Sequence, residues 1–259
     1  MTWTHDLTLR DGIITKRYAS WLRGEPGREW AALRAISADV DDLAPRPVTA
    51  DLDAQPPWIS MTRVPGESLR RPVTGKQLDA VAEALGALWC VPIDGLGLEA
   101  ARNADVGLAR ARLAACARPM GGVAAEAYAA AASWLKEATL DYVGPVSILG
   151  HADPNLANYL WDGQRVRIVD FEDAGRSDVA LELGTLIEHL SWRGTDAEAL
   201  PSRLAARGFA VDEERLLVAR RVWAIFWLAL LLPGGPAAAR NPPGTAEEQA
   251  SRVIALLSR

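Results

Sequence analysis

The sequence predicts an α+β chain of two lobes: a small, β-rich N-terminal lobe over residues 1–64 and a larger, mainly helical C-terminal lobe over residues 65–259. Three observations carry that prediction. Short alternating segments punctuated by Gly, Pro and Asp fill the N-terminal part. Helical periodicity dominates from residue 75 onward. Between the helices, residues 149–175 read as short strands separated by polar loops.

Residues 6–9 alternate, Asp11-Gly12 is a two-residue turn signal, and 13–18 resume the extended pattern, which predicts a β-hairpin. Gly24 and Gly27 break the chain, and residues 28–37 carry Trp30, Leu33 and Ile36 at helical spacing. Residues 44–57 read as loop plus a short strand. Residues 58–61 read as a strand ended by Val64-Pro65-Gly66, the expected boundary between the lobes. An amphipathic helix follows over 76–90, through Leu78, Val81, Leu85 and Leu88, and an Ala-rich helix over 123–139. An apolar strand over 145–149 leads into His151. Two short strands, 158–161 and 166–171, are joined by Asp162-Gly163. A helix over 179–192 has Ser177 or Asp178 as its N-cap. The last helices span 212–232 and 246–257, separated by a Pro-, Gly- and Ala-rich segment, 233–244, expected to be an exposed, mobile loop.

With 259 residues and 49% hydrophobic composition, the chain can bury a substantial core. A net charge of −5 argues against a general nucleic-acid binder; it is ordinary for a soluble protein and also suits a cationic substrate. Cys90 and Cys116 are the only cysteines and form no Cys/His cluster, so neither a zinc site nor a disulfide framework is expected, and the cytoplasm is the expected location. The polar N-terminus is not a signal peptide. The longest apolar run, 222–232, is shorter than the roughly 20 residues a membrane span needs and reads as a buried helix, so no membrane partner is expected.

The chemistry concentrates in LGHADPNLANYLWDGQRVRIVDFEDAG, residues 149–175. A loop displays His151, Asp153 and Asn158, and the last strand ends at Asp170. Phosphoryl transfer asks a protein for positioning and charge neutralisation: a carboxylate for the acceptor's hydroxyl proton, and hard oxygen ligands for magnesium. An Asp, an Asn further along the same loop and a second Asp on the adjoining hairpin supply that set.

The pattern HxDxxxxN, an apolar strand and then Asp resembles the motif of the aminoglycoside phosphotransferase and choline kinase family, relatives of the protein kinases. The resemblance implies a protein-kinase-like bilobal fold and an ATP- and Mg2+-dependent transfer to a hydroxyl of a small molecule. It implies Asp153 as catalytic base and Asn158 and Asp170 as magnesium ligands. The segment GRSDVALELG is similar to the family's GxxDPxxDLA, with Asp178 holding the catalytic loop and Glu182 in place of the second Asp. Lys16 resembles the lysine that reaches the α- and β-phosphates, and Glu29 its ion-pair partner. The segment containing Met61, Thr62 and Val64 resembles the linker whose backbone pairs with adenine. One departure stands out. Only one hairpin precedes Lys16, so the family's first strand and phosphate-covering loop are missing, reduced to residues 1–5, or upstream of the given start.

Simpler roles accompany these. His151 reads as a packing and loop-bracing residue, Asn155 as a turn residue, and Asp173 either as a cap or as a metal- or substrate-binding group. On the acceptor side, Glu172, Asp173, Glu182 and Glu188 make an acidic region that suits an aminoglycoside or polyamine-like acceptor. Trp192, Trp223, Phe226 and Trp227 offer aromatic faces to a sugar or quaternary ammonium, although Trp223 and Trp227, i and i+4 on an apolar helix, read as core. The expected activity is therefore a small-molecule kinase, in the antibiotic-resistance setting if the acceptor is an aminoglycoside. The alternatives are a kinase of choline, homoserine or a ketosamine, and a pseudokinase that binds nucleotide without turnover.

Overall fold

A computed structural model describes residues 5–102, 105–140 and 147–259. The N-terminal lobe is a four-stranded antiparallel sheet with one helix against it. Strands β1 (Asp6–Arg10) and β2 (Ile13–Arg17) form the hairpin that the Asp11-Gly12 turn demands, both turn residues having positive φ. β3 (Pro47–Asp51) and β4 (Trp58–Thr62) complete the order β1-β2-β4-β3. β4 is central and mostly buried, whereas β1 is the outer edge and exposed throughout. Residues 1–4, where a reduced first strand was expected, lie outside the described residues.

Helix α1 (Glu25–Asp39) begins three residues before the periodic stretch, because Pro26 occupies the first turn, where a missing N–H costs nothing. Gly24, with φ 79°, turns the chain into it. α1 buries Ala32, Leu33 and Ile36, and this face carries Glu29 inward.

The C-terminal lobe opens with β5 (Glu67–Ser68) and α2 (Gly75–Trp89), which starts at a capping box between Thr74 and Gln77. Helices α3 (Val106–Ala114) and α4 (Gly122–Glu137) follow. α3 lacked a sequence signal because its apolar residues have no strong periodicity; Asp105 caps it by accepting from Leu108 N–H at 2.6 Å. Strand β6 (Ile148–Gly150) leads into the polar loop; positions 145 and 146 of the expected strand lie outside the described residues. β7 (Tyr159–Trp161) and β8 (Val166–Ile168) form the expected hairpin and join β5, while β9 (Gly175–Ser177) pairs with β6. β8 stops short of Asp170 because that residue has φ 68°, a left-handed conformation that no strand accommodates.

Helix α5 (Val179–Glu188) is shorter than the expected 179–192: His189 is extended and a 3-10 turn, Leu190–Trp192, follows. The short α6 (Leu200–Ala205) precedes α7 (Glu213–Leu231) and α8 (Thr245–Leu257). The segment between α7 and α8 folds back on the helix, with Ala237 N–H bonded to Leu230 O at 3.0 Å and Ala237 buried. Two cores result. One runs from α1 and the first sheet through α2 to α5, and the other joins α3, α4, α7 and α8. α5 and α7 touch where Gly184 lies against Ala219, and a Cβ on Gly184 would stand 2.7 Å from the Ala219 methyl carbon. No described helix is long and apolar enough to cross a membrane.

Candidate active site

The polar loop 151–158 is held from three sides. From α5, buried Glu182 accepts His151 N–H at 2.9 Å and Ala152 N–H at 3.3 Å through Oε2, and the Ser177 hydroxyl at 2.8 Å through Oε1. Ala152 has φ 65°, a conformation costly for any residue but glycine, so the loop needs such a brace. From β8, the Val169 carbonyl accepts His151 Nε2–H at 2.9 Å, while His151 Nδ1 takes Asp153 N–H at 3.3 Å. The imidazole is therefore a strut between loop and hairpin, its edge against Phe171. From the turn after α5, Trp192 Nε1–H donates to Pro154 O at 2.5 Å and Ser191 Oγ accepts Leu156 N–H at 3.0 Å.

This bracing presents Asp153 and Asn158 together. Asn158 Nδ2 donates to Asp153 Oδ2 at 3.0 Å and to Asp153 O at 3.1 Å, which turns Asn158 Oδ1 the other way. Asn155 accepts Ala157 N–H at 3.1 Å, a turn closure, and its own N–H donates to Asp153 Oδ1 at 3.3 Å. Asn158 O accepts Val169 N–H at 3.0 Å, so Asn158 lies across the hairpin, one residue from Asp170.

Asp170 meets the N-terminal lobe. Lys16 Nζ donates to Asp170 Oδ1 at 2.5 Å, Glu29 Oε2 at 2.7 Å and Glu172 Oε2 at 2.9 Å. Behind them Tyr18 donates to Glu29 at 2.6 Å, and Glu29 Oε1 takes Phe171 N–H at 3.3 Å. Burial alone would lower the Lys16 pKa, but the three carboxylates outweigh it and hold the ammonium well above the usual lysine range. Burial with Glu29 and Glu172 nearby pushes the Asp170 carboxyl up to about 6 against the pull of Lys16. Burial also works against ionised Glu172, but hydrogen bonds from His5 at 2.6 Å and from Lys16 prevail, and its carboxyl falls to about 2. His5 Nδ1 takes Ala19 N–H at 3.1 Å, which leaves Nε2 as the donor to Glu172. His5 and Tyr18 are parts of this cluster that no spacing in the sequence announces.

The oxygen set fits a hard cation. Glu29, Asp170 and Glu172 each bring one carboxylate oxygen within 4.8 Å of the others, Asp170 keeps 39% side-chain exposure, and Asn158 Oδ1 points away from its Asp153 bond. Lys16 already neutralises the inner part of that group, which leaves Asp170 and Asn158 as the outward donors.

The remaining residues singled out in the sequence fall elsewhere. Met61 is buried in β4, Thr62 N–H bonds to Arg46 O at 2.9 Å and Arg63 N–H to Gly12 O at 2.8 Å, while Val64 lies just beyond the strand. Asp178 caps α5 through Leu181 N–H at 3.0 Å and pairs with Arg215 at 2.5 Å; the carboxylate that takes the loop's N–H groups is Glu182. Asp173 is no helix cap. It lies 3.3 Å from Arg102 and 3.6 Å from Arg23, and its buried Oδ1 has no hydrogen-bond partner among the described residues.

The expected acidic, aromatic acceptor face requires correction. Glu188 is fully buried, with Arg220 Nε at 2.8 Å and Arg252 Nη2 at 2.8 Å on one oxygen and Arg252 Nε at 3.0 Å on the other. Trp192 is buried against Tyr159 and holds the loop. A residue at either position reads as available to a ligand only when its partners, distant in sequence, are out of view.

Residues 12–218 match the phosphotransferase enzyme family. No curated protein sequence matches the chain significantly. Among solved structures, a choline/ethanolamine kinase family protein from Mesorhizobium loti superposes with a TM-score of 0.68 at 16% identity, covering 100% of this chain and 87% of that one. The choline kinase LicA from Streptococcus pneumoniae gives 0.63 at 14% identity, over 98% and 89%. The ADP-bound aminoglycoside phosphotransferase APH(2'')-Ib gives 0.63 at 16% identity, over 99% and 90%. The fold is thus the kinase-like bilobal one.

Proposed function

The chain belongs to the phosphotransferase enzyme family, and from that premise we propose that it transfers the γ-phosphoryl group of ATP, with Mg2+, to a hydroxyl of a small molecule. The observation that carries the reading is the contact of Lys16 with Asp170, two residues 154 positions apart, at 2.5 Å with Glu29 behind. A buried lysine fixed by one carboxylate on α1 and aimed at another on the hairpin is the arrangement a phosphate-binding lysine needs. The boundary between the lobes lies after Val64 in this reading, and the backbone near Met61, Thr62 and Val64 is where adenine pairs.

Asp153 lies at the acceptor side and takes the hydroxyl proton as the new O–P bond forms and the bond to the β–γ bridging oxygen breaks, releasing ADP. Asn158 holds the Asp153 carboxylate in orientation through Nδ2. Asn158 Oδ1 and Asp170 would hold Mg2+, which supplies charge neutralisation for the phosphates. Lys16 turns from Asp170 and Glu172 to the phosphates, with Glu29 keeping it in place. Catalysis of this kind is mainly positioning and electrostatics, so the braces matter as much as the reactive groups.

Calorimetric titration of ATP with and without Mg2+ tests the nucleotide half of the reading. Wild type is expected to bind in a Mg2+-dependent way, and Asp170→Asn and Lys16→Ala to lose at least tenfold in affinity; Mg2+-independent binding unaffected by both would refute it.

A further inference from the structure

Resting on that phosphotransferase reading, we infer that the acceptor carries an anionic group, a carboxylate or a phosphate, which Arg193 binds while His189 Nε2–H meets an acceptor oxygen beside Asp153. The inference begins with what the acidic side chains are doing. Glu172 is taken by Lys16 and His5, Asp173 faces Arg23 and Arg102, Glu182 is spent on backbone N–H groups, and Glu188 is enclosed by arginines. Beside the reacting position, Asp153 already accepts Asn158 Nδ2–H through Oδ2 and Asn155 N–H through Oδ1, and Asp170 faces Lys16.

The turn after α5 offers donors instead. His189 Nδ1 takes Ser191 N–H at 3.2 Å, which can only donate, so Nδ1 also accepts the Ser191 hydroxyl at 2.8 Å, whose oxygen takes Leu156 N–H. That fixes the ring proton on Nε2, an atom with no partner among the described residues. Burial pushes His189 down to about 4 despite Asp153, so the ring is a neutral donor and not a charged one. Trp227 lies edge-on to the same imidazole, with ring centroids 5.0 Å apart, and its buried Nε1–H has no acceptor among the described residues.

Arg193 follows Trp192, the residue that anchors Pro154. Its Nη2 donates to Gln249 at 2.6 Å and lies 3.6 Å from Glu188; Nε and Nη1 have no partner among the described residues, and the side chain is 29% exposed. The charges around it are Arg220 and Arg252, Glu188 and Glu198, exposed Glu248, and Arg71, whose Nη1 rests on Arg193 O at 2.9 Å. Burial, with Arg252 and Arg220 beside it, lowers the pKa of Arg193 against the pull of Glu188. Open donors on a partly exposed guanidinium, at the other end of the same short turn from a neutral imidazole, fit an oxyanion bidentately and repel an ammonium.

The test measures ADP release from Mg-ATP by the full chain with matched acceptors: gluconate and glucose 6-phosphate against glucose, glucosamine, kanamycin and choline. At least one anion is expected to be the best acceptor by kcat/KM, the gluconate and phosphate arms separating the two sources. Arg193→Ala is expected to raise its KM about 30-fold with little change in kcat, the loss of a charge-assisted contact, and Arg193→Lys to recover part of it. A cationic or neutral acceptor that outperforms both anions overturns the inference, as does an Arg193→Ala enzyme with unchanged KM. If no acceptor turns over, gluconate and glucose 6-phosphate are titrated against protein loaded with AMP-PNP and Mg2+. Binding that Arg193→Ala abolishes supports the inference, and absence of binding overturns it. Failure to bind nucleotide at all overturns the phosphotransferase reading along with it.

Discussion

Glu182→Ala, on α5, should loosen the catalytic loop more than any single change within the loop itself. The substitution strands two buried backbone donors, His151 N–H and Ala152 N–H, and removes one acceptor of the Ser177 hydroxyl. At about 1–3 kcal/mol per stranded group, with the water that enters the space recovering part, the loss is about 4 kcal/mol. Ala152, held at φ 65°, also loses the contact that keeps it there, so the loop is free to relax and carry Asp153 out of position. Glu182→Gln keeps the shape and one carbonyl acceptor and should cost only about 1–2 kcal/mol. Urea unfolding reads both: with a slope of about 2–3 kcal/mol/M for a chain this size, the Ala variant's midpoint falls by roughly 1.5 M. An Ala variant within about 0.5 kcal/mol of wild type would refute the role assigned to Glu182.

Four further outcomes follow from the same contacts. Glu188→Ala leaves Arg220 and Arg252 facing each other without their shared buried anion and should destabilise by about 3–5 kcal/mol in the same unfolding assay. Gly184→Ala drives a methyl into Ala219 at the α5–α7 crossing and should cost about 1–3 kcal/mol, whereas Gly208→Ala, in open space, strains only a positive φ and should cost less. Asp170, whose pKa is raised in the fold, is a group the nucleotide-free fold prefers protonated, so its contribution is lost as pH rises through about 6; Asp170→Asn should raise the apo melting temperature at pH 7 while abolishing Mg2+-dependent nucleotide binding. Glu172, whose pKa is depressed to about 2, contributes stability that is present above pH 4.5 and lost as pH falls toward 2, and Glu172→Gln should flatten the melting temperature over that window.

Local chemistry made much of this fold readable. The β1–β2 hairpin was legible because Asp11-Gly12 is a two-residue turn signal, and α2 because Leu78, Val81, Leu85 and Leu88 write an apolar stripe. The end of α5 was not, since residues 189–192 continue a helical pattern that is overridden by Trp192 reaching Pro154 and Ser191 reaching Leu156. The same division runs through the candidate site. The spacing of His151, Asp153, Asn158 and Asp170 lies within one continuous stretch of chain around the β7–β8 hairpin, so the sequence displays it. His5 on Glu172 and Lys16 on Asp170 are meetings between lobes, and of these only Lys16 was marked, through the family resemblance. Glu188 and Trp192 misled because an isolated carboxylate and an isolated indole look like ligand contacts, and their burial depends on Arg220, Arg252 and Tyr159 arriving from elsewhere.

Transfer of label from [γ-32P]ATP to an acceptor, with wild type and Asp153→Asn compared at saturating Mg2+, tests the central claim most directly. The wild-type chain is predicted to produce labelled acceptor, and Asp153→Asn to bind nucleotide normally while transferring at least a hundredfold more slowly, the scale of a lost general base. An Asp153→Asn chain that transfers label at the wild-type rate would contradict the claim, because the loop built from His151 to Asn158 would then not be where the chemistry occurs.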